Sequence, residues 1–246
     1  IFIGALLSLT EPRRDRTRAR CLCSHRELYA PSSRCQHPAV TSSKTPYHHG
    51  DLRNALIDAG LSLIEQFGAE AFSLREVARE VGVSANAAYR HFEDKGALLT
   101  GIAVSGFERL SSAMQKAMLT ARSKGAPQSR AVARFNAAAR AYVELAQEHP
   151  QLYGLMFGSA GRACLAAEGA LVGPTPGALL GLVLDELVEA KVMSKKQREG
   201  AEIHVWSTVH GFASLAHSGP LAELSPKARN YALEQLIHFV IAGLRG

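Results

Sequence analysis

The chain has 246 residues, of which 47% are hydrophobic, so it can bury a sizeable core and disorder throughout is excluded. Its formal net charge is +6, but residues 1–46 supply most of it, with eight Lys and Arg against three acidic residues. Residues 47–100 hold five basic and eight acidic residues. Net charge therefore does not indicate DNA binding, which would depend on where a few basic side chains lie.

The N-terminal segment, residues 1–44, differs from the rest of the chain. Its apolar run over residues 1–9 is too short to span a membrane, and it precedes the arginines, whereas a signal peptide begins with its positive region. Arg, Ser, Pro and Cys follow without periodicity, which is typical of disorder. We therefore expect a disordered segment without membrane contact or, because the chain starts at Ile rather than Met, an extraneous one.

Metal-ligating side chains are concentrated in that segment: Cys21, Cys23, His25, Cys35 and His37. Their spacings fit no common zinc module, and Cys-x-Cys is tight for one tetrahedral ion. An unstructured tail is the favoured interpretation, with a zinc site as the alternative, and we expect no metal and no cofactor. A single further cysteine in the main body excludes a disulfide framework there and favours a reducing compartment.

The first predicted helix runs from Asp51 to Phe67 and ends at Gly68. Its apolar residues recur at helical spacing and form one stripe: Leu52, Leu56, Ala59, Leu63 and Phe67. We expect this helix to pack beneath the two helices that follow it.

Residues 73–81 predict a short helix that ends at a glycine turn. Apolar residues fall at i, i+3, i+4 and i+7, and they are Leu74, Val77, Ala78 and Val81. Ser73 and Glu76 have the spacing of a capping box. Gly82 follows the last apolar position, as a C-terminal stop should.

Two more helices follow the glycine. Ser84 is expected to cap the second helix, with Ala88 and Phe92 facing inward. Asp94 is expected to cap the third, whose buried side holds Leu98, Leu99 and Ile102. Helix, short glycine turn and helix make a helix-turn-helix, whose second helix enters the DNA major groove.

These residues resemble the DNA-binding signature of the tetracycline-repressor (TetR) family. The similar residues are Gly82-Val-Ser-Ala-Asn-Ala-Ala-Tyr-Arg-His-Phe92, then Lys95 and Leu98-Leu99, preceded by Tyr47-His-His-Gly-Asp-Leu-Arg53. The match is close over residues 45–110, and beyond them an all-helical pattern is shared. The resemblance implies an all-α fold of about nine helices, with a DNA-binding head at 45–98 and a helical ligand-binding and dimerisation domain at 99–246.

The predicted recognition helix, residues 84–90, has Ala85, Asn86, Ala87 and Arg90 as its expected exposed positions. Asn makes paired hydrogen bonds to adenine, and alanine methyl groups contact the thymine methyl. Asn86 and Arg90 are therefore the main candidates for reading sequence. The family often has threonine where Ala87 stands, so one hydroxyl contact is absent, and a solvated helix face is the alternative interpretation.

Phosphate contacts complete the predicted DNA site. By resemblance, Tyr89, His91 and Lys95 donate to phosphate oxygens, and backbone amides at the capped helix starts do the same. Ordinary surface polarity is the alternative for each side chain. The full predicted set is Tyr47, His48, Ser73, Ser84, Ala85, Asn86, Ala87, Tyr89, Arg90, His91 and Lys95.

The rest of the chain predicts further helices. Lys95 opens a long helix that ends near residues 124–127, so it would contact DNA at one end and the second domain at the other. A stripe then ends at His149-Pro150, where proline stops a helix. Its residues are Val132, Phe135, Ala139, Tyr142 and Ala146. After the apolar segment 151–157, the glycine-rich residues 158–177 predict a loop with at most one short helix, and helices follow at about 177–191, 195–217 and 225–245.

The last two helices are apolar on more than one face. The helix at 195–217 has two stripes, Ile203/Trp206/Ala213 and Val205/Val209/Phe212/Ala216. The last helix has a wide face of Ala232, Leu236, Phe239, Val240 and Leu244. Because such helices are buried on both sides, we expect them to form a four-helix homodimer interface with their two-fold mates.

Aromatic and methionine side chains of the second domain are candidates for an effector pocket: Phe135, Tyr142, Tyr153, Met156, Phe157, Trp206 and His210. Residues of this kind at helical spacing are as often simply core, so both interpretations stay open. His210 needs a partner, either a ligand, a water, Thr208 or Tyr153, and a satisfied core histidine is slightly favoured. Trp206 with His210-Gly211 resembles a TetR subgroup named for a Trp-His-Gly signature.

The sequence does not favour an enzyme. It contains no G-x-S-x-G, P-loop, Rossmann glycine string or His-Glu-x-x-His motif. His48 and His49 are adjacent rather than i, i+4, which makes a poor metal pair. Cys164 is a weak candidate for a redox switch, because Arg162 alone stands near it to stabilise a thiolate.

The expected function is that of a homodimeric transcriptional regulator in a bacterial cytoplasm, most simply a repressor. Its partners would be a double-stranded DNA operator and a small-molecule effector that releases the protein from DNA. The alternative is a constitutive DNA-binding protein whose C-terminal domain only dimerises.

Overall fold

Helices are the only regular elements in the part of the chain that the structure describes, so the all-α prediction is confirmed. The computed structural model describes residues 51–69, 73–121, 125–166, 171 and 173–245. These residues form eleven α-helices and one 3-10 turn. The predicted extension 1–44 with its cysteines and histidines, and the DNA-contact candidates Tyr47 and His48, lie outside the described residues.

The head of the molecule consists of three short helices and the start of a long one. They are α1 (Leu52–Phe67), α2 (Leu74–Val81), α3 (Ala85–Tyr89) and α4 (Lys95–Thr120). α1 packs against both α2 and α4, and α2 packs against α3. The sequence predicts this three-helix arrangement, in which α1 packs beneath the two helices that the Gly82 turn joins.

The buried face of α1 is rotated from the predicted stripe. Of that stripe Leu56 is buried, Phe67 is 62% exposed and the other three residues are half-buried. The reason is that α1 lies between two neighbours, and Gly60 forms part of its contact with α4. A Cβ atom at Gly60 would lie 2.9 Å from the Cδ1 atom of Ile102. The buried residues are Leu56, Ile57, Gly60, Leu61 and Ile64.

Helix α4 joins the head to the rest of the structure. Leu98 and Ile102 are buried in the head, while Met114 and Met118 are buried further along the same helix. The helix ends at Thr120, before the predicted end near residues 124–127, and Ala121 is extended. The described residues share one contiguous apolar core, within which the proposed boundary at residues 98 and 99 falls inside α4.

Proline begins four of the following α-helices, the last of them at Pro226, since its missing N–H is not needed in a first turn. The first three are α5 (Pro127–Glu148), α6 (Pro150–Phe157) and α8 (Pro176–Glu189). The predicted stop at His149-Pro150 is confirmed, because His149 caps α5 and Pro150 starts α6. Between α6 and α8 lies α7 (Ser159–Ala166), the one short helix expected in the glycine-rich segment.

One predicted helix, 195–217, is divided in two. The structure has α9 (Lys195–Arg198) and α10 (Ala201–Ser218) in its place. Glu199 is extended and Gly200 has a φ of 72°, a left-handed conformation that favours glycine and interrupts the helix. A 3-10 turn (Pro220–Glu223) then leads to α11 (Pro226–Arg245). No helix in the described ranges is long and apolar enough to cross a membrane.

Helices α10 and α11 each bury one apolar face and leave apolar side chains on another. On α10 Val205 is buried and Ile203 is 54% exposed, while on α11 Val240 is buried and Phe239 is 74% exposed. Within the stripe that the sequence assigns to Ile203, Trp206 and Ala213, Ala213 is fully buried within the chain, while Ile203 and Trp206 are exposed. Uncovered apolar residues on two neighbouring helices are typical of an association surface.

Candidate functional site

The start of α2 is fixed by a reciprocal cap. The hydroxyl of Ser73 accepts the Glu76 backbone N–H at 3.3 Å, and the Glu76 carboxylate accepts the Ser73 backbone N–H at 2.7 Å. The Ser73 hydroxyl also donates to the Glu76 carboxylate at 2.9 Å, and this hydrogen bond, together with the one from the Ser73 N–H, lowers the pKa of Glu76. The predicted capping box is therefore present.

A left-handed glycine sets the angle between α2 and α3. Gly82 has a φ of 79°, and its N–H donates to the carbonyls of Ala78 and Arg79. The hydroxyl of Ser84 then accepts the Ala87 N–H at 3.2 Å and starts α3. The helix-turn-helix geometry thus follows from one glycine and two serine caps.

Helix α3 is anchored on one side and open on the other. Ala88 and Phe92 are buried as predicted, and Asn86, Tyr89, Arg90 and His91 are exposed. The structure brings these four polar side chains to one exposed segment.

Two of the residues expected to be exposed on α3, Ala85 and Ala87, are instead half-buried. A methyl group lies close to the helix backbone, where longer neighbouring side chains shield it. The polar atoms available to base edges are therefore those of Asn86 on α3 and of Arg90 at its C-terminal cap, with Tyr89 and His91 beside them.

The third capped helix start lies at Asp94. Its carboxylate accepts the Ala97 N–H at 2.7 Å, and Lys95 is the first residue of α4. The charge of Lys95 contributes to lowering the pKa of Glu76, so the lysine lies near the start of α2. Of the predicted phosphate contacts, Ser73, Ser84 and Lys95 thus stand at the starts of three helices, where free N–H groups attract anions.

Arg53 is a basic residue of the head that belongs to the family-like motif but not to the predicted DNA contacts. Its guanidinium carbon lies 5.2 Å from the centroid of the Phe92 ring, a cation–π arrangement that ties α1 to the end of α3. Sequence spacing gives no sign of this contact, because the two residues lie on different helices.

The second candidate site centres on His210 of α10. The hydroxyls of Tyr142 on α5 and Tyr153 on α6 each lie 2.8 Å from its Nδ1 atom. The expected tyrosine partner is therefore confirmed and joined by a second one, whereas Thr208 donates to the His204 carbonyl instead.

Burial sets the protonation of this cluster. It raises the pKa of Tyr142, with a further contribution from Tyr153, and it raises the pKa of Tyr153. It lowers the pKa of His210. At neutral pH both phenols are therefore protonated and the imidazole is neutral, and a single Nδ1 lone pair can accept one of the two hydroxyl protons at a time.

Aromatic rings surround the histidine. The centroid of His210 lies 4.5 Å from that of Phe157 and 5.8 Å from that of Trp206. Phe157 in turn lies 4.9 Å from Tyr153. Five of the seven predicted pocket residues, Tyr142 included, thus form one cluster.

Two cavities border this cluster. The inner cavity has a volume of about 40 Å³ and is lined by Met114, Phe135, Ala138, Ala139, Tyr142, Leu180, Val183, Val205, Trp206 and Val209. The outer cleft has a volume of about 300 Å³ and is lined by Met156, Phe157, Arg162, Trp206, Ser207 and His210. Every predicted pocket residue except Tyr153 lines one or the other, and Trp206 lines both.

Arg162 and Ser207 are members of the cleft that pattern analysis missed as ligand candidates. Arg162 follows Phe157 across the α6–α7 junction, and Ser207 is the neighbour of Trp206. The sequence signal for both is weak, because single polar residues in a glycine-rich segment and on a helix are ordinarily solvated.

Cys164 does not have the surroundings of a redox switch. It is buried, and burial together with the nearby charge of Glu108 raises the pKa of its thiol. A raised thiol pKa reduces the reactive thiolate. Within the described residues no group of three or more His, Cys, Asp or Glu could hold a metal ion.

The capped helix-turn-helix on a helical body defines a DNA-binding regulator. Residues 56–102 match the family model described as bacterial regulatory proteins, tetR family. Residues 135–240 match the model of the tetracyclin repressor-like C-terminal domain. The chain belongs to the TetR family of transcriptional regulators.

Solved structures share the fold. A protein of unknown function from Rhodococcus sp. RHA1 is 33% identical with a TM-score of 0.66, over 82% of this chain and 100% of that one. The fatty acid degradation regulator FadR from Bacillus halodurans is 15% identical with a TM-score of 0.62, over 81% and 99%. A TetR/AcrR regulator from Thermobifida fusca YX-ER1 is 17% identical with a TM-score of 0.54, over 80% and 100%. No curated protein matches the chain.

Proposed function

We propose that this protein is a homodimeric repressor that acts in a bacterial cytoplasm and leaves its operator when a small molecule binds. The observation that carries the proposal is the exposure of Asn86 and Arg90 on a helix whose other side is anchored by buried Ala88 and Phe92. A helix held this way presents the same side chains to DNA each time it docks.

In this proposal α3 lies in the major groove. Asn86 makes paired hydrogen bonds to adenine and Arg90 to guanine, while the methyl groups of Ala85 and Ala87 allow close approach to the bases. The phosphate contacts fix the register. They come from Tyr47, His48, Ser73, Ser84, Tyr89, His91 and Lys95.

The dimer would form through α10 and α11. Ile203 on α10 and Phe239 on α11 are exposed apolar side chains on helices that pack against each other in one chain. Gly211 and Gly243 have no neighbouring atom within 4 Å of where a Cβ would lie, so a second backbone could approach closely there. Two-fold pairing of these helices would give a four-helix interface.

The effector site would lie around His210, with Phe135, Tyr142, Tyr153, Met156, Phe157 and Trp206. Trp206 and His210-Gly211 also support membership of the Trp-His-Gly subgroup. Helix α4 would carry the signal, because it begins in the head at Lys95 and contacts α6 at Gly106. A Cβ at Gly106 would lie 2.7 Å from the Sδ atom of Met156, so little space separates the two helices.

A shift of α4 would change the separation of the two heads in the dimer. Successive major grooves on one DNA face lie about 34–36 Å apart, so a modest change of separation lowers operator affinity. The effector must bind the released form more tightly, by about 1.4 kcal/mol for each tenfold loss of DNA affinity.

One observation favours the alternative of a constitutive DNA-binding protein. The inner cavity, at about 40 Å³, is too small for a typical ligand as it stands. If the C-terminal domain only dimerises, no small molecule would change DNA affinity.

Fluorescence anisotropy of the full chain against its own upstream intergenic DNA tests the proposal. We expect saturable binding with two protomers per site and an affinity at least about 1,000-fold above that for shuffled DNA at the same salt concentration. Binding equal to that of shuffled DNA would refute operator recognition.

A further inference from the structure

One side of the outer cleft is lined by polar side chains. Arg162, Ser207 and His210 line it, and each can donate a hydrogen bond. Among the described residues, no acidic side chain lines the cleft, and no Asp or Glu forms an ion pair with Arg162. The cleft therefore favours a ligand group that accepts hydrogen bonds and carries negative charge.

His210 is oriented by its own chain. The two tyrosine hydroxyls lie 2.8 Å from Nδ1 and hold the ring in place; in the tautomer in which Nδ1 accepts from one of them, the ring hydrogen is on Nε2. Among the described residues Nε2 has no protein hydrogen-bond partner, while the ring lines the cleft. A donor that is held in place by two buried phenols is preorganised for a ligand acceptor.

The apolar side of the cleft leads toward the inner cavity. Met156 and Phe157 form one wall, and Trp206 separates the cleft from the cavity beyond it. The indole is 44% exposed, so it is not held by close packing on all sides. A movement of this one side chain would join a cleft of about 300 Å³ to a cavity of about 40 Å³, which is the size range of small-molecule sites.

We propose that the outer cleft and the inner cavity together bind a small amphiphilic carboxylate, with Trp206 as the side chain that opens the passage between them. Arg162, Ser207 and the Nε2–H of His210 bind the carboxylate, and the apolar chain passes Trp206 toward Phe135. This assignment rests on the proposed regulatory function and specifies the chemical class of the effector.

Tryptophan fluorescence tests the assignment directly, because Trp206 is the only tryptophan in the chain. Octanoate is the probe, and 1-octanol and octylamine are matched controls with the same chain and no negative charge. We expect a saturable emission change with octanoate, at least about tenfold weaker apparent affinity for 1-octanol, and no saturation with octylamine. From butyrate to octanoate the affinity should rise about fourfold per methylene.

The variant Arg162→Gln should weaken octanoate binding by at least about tenfold, because a charge-assisted hydrogen bond is lost. Arg130→Gln is the control, since Arg130 is exposed and bonds to the Gly125 carbonyl outside this cleft. Equal responses to octanoate and octylamine, no saturable response to octanoate, or unchanged octanoate affinity in Arg162→Gln would each overturn the assignment.

DNA binding in the same preparation separates this assignment from the proposed function. Operator binding without the expected octanoate response would overturn the ligand class and leave the regulator standing. The expected octanoate response without any operator binding would support the site and refute the regulator.

Discussion

At the scale of single residues, the chemistry of the second site depends on His210. Its Nδ1 atom is held by two phenols, and burial lowers its pKa from the ordinary value. The unfolded chain therefore takes up a proton at this histidine near pH 6.5, where the native protein does not. This site contributes stability that is fully present above pH 6.5 and is lost as the pH falls through the lower native pKa.

We expect the free energy of unfolding to fall more steeply between pH 7 and pH 5 in the wild type than in His210→Asn. The difference should correspond to less than one proton bound on unfolding, because a single group is removed. Urea denaturation at a series of pH values measures it. Gln151→Asn is the control, since Gln151 is exposed and carries no titratable group, so it should leave the slope unchanged. Parallel pH curves for the wild type and His210→Asn would contradict this account.

The sequence could predict the residues around His210 but not their arrangement. Six of the seven pocket candidates line a cavity, and the seventh, Tyr153, holds the histidine. Helical periodicity predicts that such residues face inward, but it cannot predict that Trp206 lies between the inner cavity and the outer cleft. Arg162 was missed because its role depends on how α7 turns back on α6, which involves contacts between separate helices.

At the scale of helices, local signals decided what could be predicted. Ser73, Ser84 and Asp94 cap three successive helices as expected, since a cap involves residues only three positions apart. The rotation of α1 and the break at Gly200 were missed. The rotation of α1 depends on its packing against two neighbouring helices. The break at Gly200 was missed because a glycine within a helical pattern does not by itself predict that the helix ends.

Gly161 provides a test at this scale, because α7 lies very close to the end of α6. A Cβ atom at Gly161 would overlap the backbone carbonyl of Met156. Gly161→Ala should therefore lower the free energy of unfolding by about 1–3 kcal/mol, since backbone cannot move aside as a flexible side chain can. Thermal or urea denaturation measures the change.

Gly177→Ala is the matched control for that substitution. Gly177 is exposed on α8, and its nearest neighbour, the Thr175 Oγ1 atom, would lie 3.8 Å from an added Cβ. Alanine there should be neutral or stabilising by up to about 1 kcal/mol. If both alanine variants had the same stability, the close approach of α6 and α7 would be wrong.

At the scale of the whole molecule, the account requires two chains. Phe239→Glu should convert the dimer to a monomer, because it buries an unpaired charge in the interface, and operator affinity should fall with the loss of the second head. Sedimentation velocity measures the oligomeric state. Leu119→Glu is the control, since Leu119 is 79% exposed on α4 and lies outside the proposed interface. A Phe239→Glu dimer as tight as the wild type would exclude this face.

The sequence predicted a DNA-binding head followed by a helical second domain. The motif from Tyr47 to Leu99 predicted a TetR-family regulator, and the family matches confirm it. The homodimer predicted from the last two helices stays a prediction. Net charge gave no help, because recognition depends on a few placed groups such as Asn86 and Arg90. The proposed chemical class of the effector could not be predicted from the sequence, since the cleft that suggests it is lined by residues of three separate helices, α6, α7 and α10.

The most direct test of the central claim, that exposed residues of α3 read operator sequence, is the affinity of Asn86→Ala for the operator and for shuffled DNA. We predict a loss of about 1–3 kcal/mol on the operator, with little change on shuffled DNA, because a base contact is removed and phosphate contacts remain. Lys116→Ala, exposed on α4 away from the head, should leave both affinities unchanged. An unchanged operator affinity for Asn86→Ala, or an equal loss on both DNAs, would contradict the account.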